Sequence, residues 1–311
     1  MEKDNISKVT IGTVLTVAVA LILVLAMIPA MTVDSDDPVA DPPFMGVGYN
    51  NYGQLGTGNT NNVTTPVQIG TFSNVTQIAI SSFSTTVFID SGKLYGMGYN
   101  SAGQLGTGNT DNVLTPTQIG TFSNVTYVFA SSNNTLFIDS GKLYGMGRNH
   151  YGQLGTGNTD NVLTPTQIGT FSNVTYVFAS NSSFFVDDGK LYGMGYNNYG
   201  QLGTGNTDNV LTPTQIGTFS NVTYVFTISY KTVFVDDGKL YRTGIGYLTP
   251  TQIGDFEKVV LVATTGNTTI FTNATAHGNG NDVNTVLITT VISMLFISIA
   301  VVAVRSFGGR E

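Results

Sequence analysis

The chain contains no cysteine and no tryptophan, only two histidines in 311 residues, and only 10% charged residues. Without cysteine there is neither a disulfide nor a thiolate metal site, and cysteine usage leaves the redox compartment open. His150 and His277 are too few to assemble a histidine-based catalytic pair or zinc centre, and His150 reads as a loop-tip residue. The charge content lies well under the roughly 25% of an ordinary soluble domain. A formal net charge of −7 argues against nucleic acid as a partner, because neutralising phosphates requires clustered Lys and Arg. The recurring carboxylates Asp139, Asp187 and Asp236 fall in hairpin turns, so no pair is expected to converge for acid–base chemistry. Segments such as Gly155-Thr156-Gly157-Asn158-Thr159-Asp160-Asn161 offer one Asp per loop, a weak site for a hard cation. They also lack the Lys-Ser/Thr and following helix of a phosphate loop. No enzyme activity, no cofactor and no metal are expected.

What is present divides into ends and middle. Residues 9–33 carry no charge and residues 11–31 are almost wholly apolar, long enough to cross the roughly 30 Å hydrocarbon of a bilayer. A second such run covers residues 286–304. Lys3 and Lys8 precede the first run and Arg305 and Arg310 follow the second, which orients both tails towards the cytoplasm and the middle outwards. The expected organisation is an N-terminal transmembrane anchor over 1–31, a linker over 32–43 and a repeat domain over 44–272. A second linker (273–285), a transmembrane helix (286–304) and a cytoplasmic tail (305–311) complete it. Ile28-Pro29-Ala30 leaves a cleaved signal peptide as the alternative for the first run. The expected location is the cell membrane, with the repeat domain extracellular.

The middle is repetitive. Gly-Gln-Leu-Gly-Thr-Gly-Asn begins at Gly53, Gly103, Gly152 and Gly200, and residues 103–129, 152–178 and 200–226 are identical. Such a period signals stacked supersecondary units. Each unit reads as four short strands with no helical periodicity. In one unit these are 125–130, 135–138, 143–147 and 165–168, with Asp139-Ser140-Gly141-Lys142 as a tight hairpin turn. The pieces Thr-Leu-Phe-Ile, Asp-Ser-Gly-Lys-Leu-Tyr, Met-Gly-Arg-Asn and Gly-Gln-Leu-Gly-Thr-Gly within 128–158, followed by Pro165-Thr166-Gln167-Ile168, resemble the regulator of chromosome condensation repeat. The version would be membrane-anchored and prokaryote-type. The resemblance covers about residues 44–272 and implies an all-β fold, a β-propeller with one four-stranded blade per repeat. The chain departs from that family's pattern in placing Met97, Met146 and Met194 where Trp is usual, and Thr85, Asn134 and Ser183 where His is usual. The family's nucleotide-exchange activity on a small nuclear GTPase is therefore not carried over.

Complete units account for four blades, and a fifth begins near Val259 but stops after its second strand. Residues 44–50 align with 94–100, a third strand lacking its first two. The expectation is about five blades, with the N-terminal fragment completing the C-terminal one so that no sheet edge is left exposed. The alternative is an open arc completed by dimerisation.

Between near-identical repeats, the informative positions are those that vary. They follow the first strand (Ser81 to Ser84, Ser131 to Asn133, Ser180 to Ser182, Ile228 to Lys231) and the third strand (Tyr49 to Tyr52, Tyr99 to Ala102, Arg148 to Tyr151, Tyr196 to Tyr199). In an up-and-down blade those two connections emerge on one face, and strand parity places both membrane linkers on the other. The candidate binding residues are Tyr49, Tyr52, Tyr99, Arg148, His150, Tyr151, Tyr196, Tyr199, Tyr230 and Lys231. Tyr supplies contact area at low ordering cost and Asn adaptable hydrogen bonds. The expected function is a cell-surface binding or adhesion module for an extracellular protein or glycan. The alternative is a structural coat protein with no specific ligand. Nine sequons in the middle, from Asn62 to Asn273, admit glycosylation.

Overall fold

The computed structural model describes residues 43–273 apart from 132, 229, 257, 266 and 267. Both apolar runs, at 9–33 and 286–304, lie outside the described residues. Among the described residues no helix is long and apolar enough to cross a membrane.

Twenty strands follow one another among the described residues. An N-terminal half-blade holds β1 (Met45–Gly48) and β2 (Val63–Gln68). Blade 1 holds β3 (Val75–Ile80), β4 (Thr85–Asp90), β5 (Lys93–Gly98) and β6 (Val113–Gln118). Blade 2 holds β7 (Val125–Ala130), β8 (Asn134–Asp139), β9 (Lys142–Gly147) and β10 (Val162–Gln167). Blade 3 holds β11 (Val174–Phe178), β12 (Ser182–Asp187), β13 (Lys190–Gly195) and β14 (Val210–Gln215). Blade 4 holds β15 (Val222–Ile228), β16 (Lys231–Asp236), β17 (Lys239–Gly244) and β18 (Tyr247–Gln252). A C-terminal half-blade holds β19 (Val259–Thr265) and β20 (Thr268–Asn273). All pairings are antiparallel, and the order within each complete blade is sequential, as in a β-propeller.

Local chemistry explains these limits. At Ser140 and Gly141 the backbone is left-handed (φ 51° and 74°), the geometry of a two-residue hairpin that matches strand twist. A Cβ on Gly141 would stand 2.3 Å from the Ser172 carbonyl oxygen, so glycine is needed there twice over. The fourth strand starts three residues earlier than expected, at Val162, but its pairing with β9 is irregular between Val162 and Thr166. Pro165 lies in that stretch and has no N–H to donate, which suits an outer edge strand. Ser182, rather than Ser183, is the counterpart of Thr85. Both pair opposite the last Gly of the third strand, and both donate to the next backbone carbonyl, Tyr99 O at 2.7 Å and Tyr196 O at 2.6 Å.

The core lies between blades. Val87, Ile89, Leu94, Leu105 and Ile119 of blade 1 pack against Val125, Val128, Phe137 and Met146 of blade 2, and this arrangement recurs down the series. The Met residues standing at the family's Trp position are fully buried. Each Gly-Gln-Leu-Gly loop also clamps the next blade. Gly58, Gly108, Gly157 and Gly205 donate to Leu114, Leu163, Leu211 and Leu248 O at 2.8–2.9 Å. Blade 4 has no such loop, because only Ile245 and Gly246 separate β17 from β18. The C-terminal half-blade therefore receives no clamp from it.

The five-blade count holds in strands, as four complete sheets and two halves. The expected closure does not: β1–β2 and β19–β20 stand as separate two-stranded sheets, with no pairing between β20 and β1.

Candidate binding face

The third-strand loops of the N-terminal half-blade and of blades 1 to 3 are each organised around one buried asparagine. Asn100 Oδ1 accepts from the Leu105 N–H (2.8 Å), while its Nδ2 donates to Thr107 Oγ1 (3.1 Å), Asn109 O (3.1 Å) and Asp111 O (3.0 Å). Its own N–H donates to Asn112 Oδ1 at 3.1 Å. Asn50, Asn149 and Asn197 repeat the pattern, and all four side chains are shielded from solvent. A glutamine steadies the loop tip, as where Gln153 Oε1 accepts from the Tyr151 N–H at 3.0 Å. These bonds tie the frame together, and the residues that vary lie just before the asparagine and in the two places after it.

Those projecting rings meet across blades. Tyr52 of the N-terminal half-blade packs on Tyr99 of blade 1 (5.0 Å between centroids), and Tyr151 of blade 2 packs on Tyr196 of blade 3 (4.9 Å). Tyr196 continues to Tyr199 (6.2 Å) and Tyr199 to Tyr230 in the first connection of blade 4 (4.0 Å). Burial and then the phenols of Tyr199, Tyr230 and Tyr151 raise the Tyr196 hydroxyl above its ordinary pKa, partly opposed by a hydrogen bond with Asn198. The two aromatic groups are separated where Ala102 and Arg148 take the tyrosine positions. There Arg148 Nε donates to His150 Nδ1 at 3.2 Å. Arg148 also lines a polar pocket of about 200 Å³ with Phe83, Asn133, Asn134, Gln153 and Asn181.

The first and third connections therefore share a face, as strand parity requires. Eight of the ten expected residues are gathered into the two tyrosine groups and the Arg148–His150 pair. Tyr49 is 78% exposed and borders a different cavity, and half-buried Lys231 opens β16. The pocket residues Asn134 and Gln153 were not among the candidates. Gln153 is hidden inside the invariant heptapeptide, whereas Asn134 could have been noticed as the one amide at a position held by Thr85 and Ser182 elsewhere.

On the opposite face the hairpin turns and the inter-blade turns meet. Asn124, Asn173 and Asn221 N–H groups donate to Asp139, Asp187 and Asp236 Oδ1 at 2.9–3.0 Å. These aspartates serve turns, and among the described residues no cluster of three His, Cys, Asp or Glu could hold a metal ion.

Sequentially ordered four-stranded blades whose first and third connections gather on one face define a β-propeller built from a tandem repeat. The family model of the regulator of chromosome condensation (RCC1) repeat matches residues 46–88, 91–138, 140–186 and 188–235, more than half of the chain, and the protein belongs to that repeat family. Among solved structures, human WBSCR16 is similar with a TM-score of 0.62 at 22% identity, over 75% of this chain and 72% of that one. Yeast RCC1 (Prp20) bound to Kap60 has a TM-score of 0.53 at 21% identity, over 67% of this chain and 56% of that one. Saccharomyces cerevisiae Prp20p, described with its binding to Gsp1p and histones, has 0.55 at 21%, over 70% and 58%. The chain thus spans little more than half of the two Prp20 chains, and at these identities the likeness is one of fold. No curated protein sequence matches the chain.

Proposed function

We propose that this protein is a membrane-anchored, surface-displayed binding module whose tyrosine-rich face captures a protein partner, with no catalytic step. The observation that carries this reading is the run Tyr151–Tyr196–Tyr199–Tyr230, contact area collected from three blades onto a frame of buried asparagines. Rigid aromatic groups projecting from a pre-organised scaffold lose little entropy on binding. The partners in the Prp20 structures, Kap60, Gsp1p and histones, belong to those proteins and are not proposed for this chain. The apolar runs at 9–33 and 286–304 support the anchored, outward-facing placement.

The test is adhesion or partner capture by cells displaying the full chain. Replacing Tyr151, Tyr196, Tyr199 and Tyr230 together by Ala should weaken capture at least about tenfold, equivalent to about 1.4 kcal/mol. Unchanged capture, or capture of a glycan in place of protein, overturns the reading. Lateral sheets that form independently of the tyrosines would instead favour the structural coat.

A further inference from the structure

One inter-blade face lacks its cover. Ile78 in β3 occupies the position of Val128, Val177 and Val225, yet it is 47% exposed whereas they are 1%, 0% and 0% exposed. Ile80 is 67% exposed. In each complete interface a second-strand residue of the preceding blade covers this position: Val87 shares a core with Val128, Leu136 with Val177, and Phe184 with Val225. Among the described residues the N-terminal half-blade has no first or second strand. It is nonetheless clamped to blade 1, by Gly58 N–H on Leu114 O (2.9 Å) and by Thr86 Oγ1 on Gln54 O (2.9 Å). An apolar groove of about 420 Å³ is left between them, lined by Met45, Val47, Leu55, Ile69, Ile78 and Ile80 among others. Among the described strands none pairs with the inner edge of β1 alongside it.

The missing pair of strands exists in the same chain. β19 and β20 are a first and second strand with no third among the described residues, and repeat alignment places Ile270 where Val87 stands in blade 1. This hairpin is seated on blade 4, through Val259 against Val233, Val235 and Leu240, and β20 pairs only with β19 among the described strands. No loop from blade 4 clamps it.

We propose that the groove is the docking site for the β19–β20 hairpin of a second copy of this chain. The hairpin completes a blade between two molecules, in the order β19 and β20 of one copy, then β1 and β2 of the other. A second copy is the occupant because the chain's own hairpin is seated on blade 4 and does not pair with β1. Strand β20 of one copy adds to β1 of the other as β4 adds to β5, so repeat alignment sets Thr269 opposite Val47 as Thr86 stands opposite Met97. Strand addition of this kind satisfies the open edges of both halves and covers Ile78 and Ile80. The interface is head-to-tail, closing if two copies each donate a hairpin and extending if they do not.

Because the natural chain has no cysteine, the pairing can be read by disulfide formation. Two full-length single variants with different tags, Val47→Cys and Thr269→Cys, are co-expressed and oxidised mildly. The expected product carries both tags at twice the chain mass, and adding Ile80→Asp to the Val47→Cys chain should abolish it. The Val47→Cys/Thr269→Cys double variant reports on the other occupant. If it cross-links only within the monomer while the mixed single variants give no product, the chain's own hairpin fills the groove and the proposal fails. Failure to cross-link in both formats also overturns it.

Discussion

On one face of the blades the Asp139 carboxylate ties a hairpin turn to Asn124, and every copy of the repeat spells those turns almost identically. On the other face the buried Asn149 and its counterparts hold loops whose frame is equally invariant but whose projecting residues change from blade to blade. The two faces thus separate two tasks that a single loop usually combines. Invariance marks residues whose side chains complete the backbone hydrogen bonding of a turn. Variation marks residues that lean on one another over the outside of that frame. If the division is real, substitutions in the frame cost stability wherever they fall, and substitutions of the projecting rings cost little.

The largest expected effect is Asn149→Ala, which orphans the buried Leu154 N–H and removes two further hydrogen bonds, at a cost of about 3 kcal/mol. A lower urea midpoint with unchanged slope in the full chain would show it. A loss below about 1 kcal/mol would mean that solvent substitutes for the asparagine and that the loop frame is not rigid. Next comes Gly141→Ala on the turn face, expected to cost about 2 kcal/mol from the left-handed backbone, with the Ser172 carbonyl contact adding to it. Gly141→Asn should lose less than Gly141→Ala if backbone handedness dominates.

A pH dependence sharpens the contrast with the inner strands. Burial raises the hydroxyl pKa of Tyr127, Tyr176 and Tyr224, and neighbouring phenols add to the rise at Tyr176. The fold therefore keeps protons that the unfolded chain releases above about pH 10. The associated stability should be intact below that pH and fall as pH rises beyond it. Tyr176→Phe should flatten the fall, at the cost of the hydroxyl's bond to Val225 O (3.0 Å), as followed by urea melts across the alkaline range. The smallest effect belongs to Tyr199→Ala, whose ring is 38% exposed and packs on the rings of Tyr196 and Tyr230 outside the hydrogen-bonded loop frame: under about 1 kcal/mol in the same melts. A loss above 1 kcal/mol would place Tyr199 in the structural frame and erase the distinction between the faces.

Much of this fold is legible in the chain, because a repeat that recurs almost without change states its own boundaries. The central strands, the Asp-Ser-Gly-Lys turn and the common face of the variable loops follow from period, alternation and parity. The fourth strand was displaced because Pro165 looks like a strand start when it in fact sits inside an irregular edge strand. The polar pocket beside Arg148 was not visible, because Gln153 reads as part of a conserved turn and only packing brings it beside Asn181 and Phe83.

The amino-acid order by itself determined the blade, its turns, the number of half-blades and which residues vary, since all of these depend on contacts within one period of the repeat. Only the tertiary structure decided that Ile78 and Val128, at the same position of the same strand, end in opposite environments. Burial there is supplied by the preceding blade, so a residue's own sequence cannot state it. The two open halves are likewise a property of how the blades meet, and they leave one apolar face for another strand pair to cover.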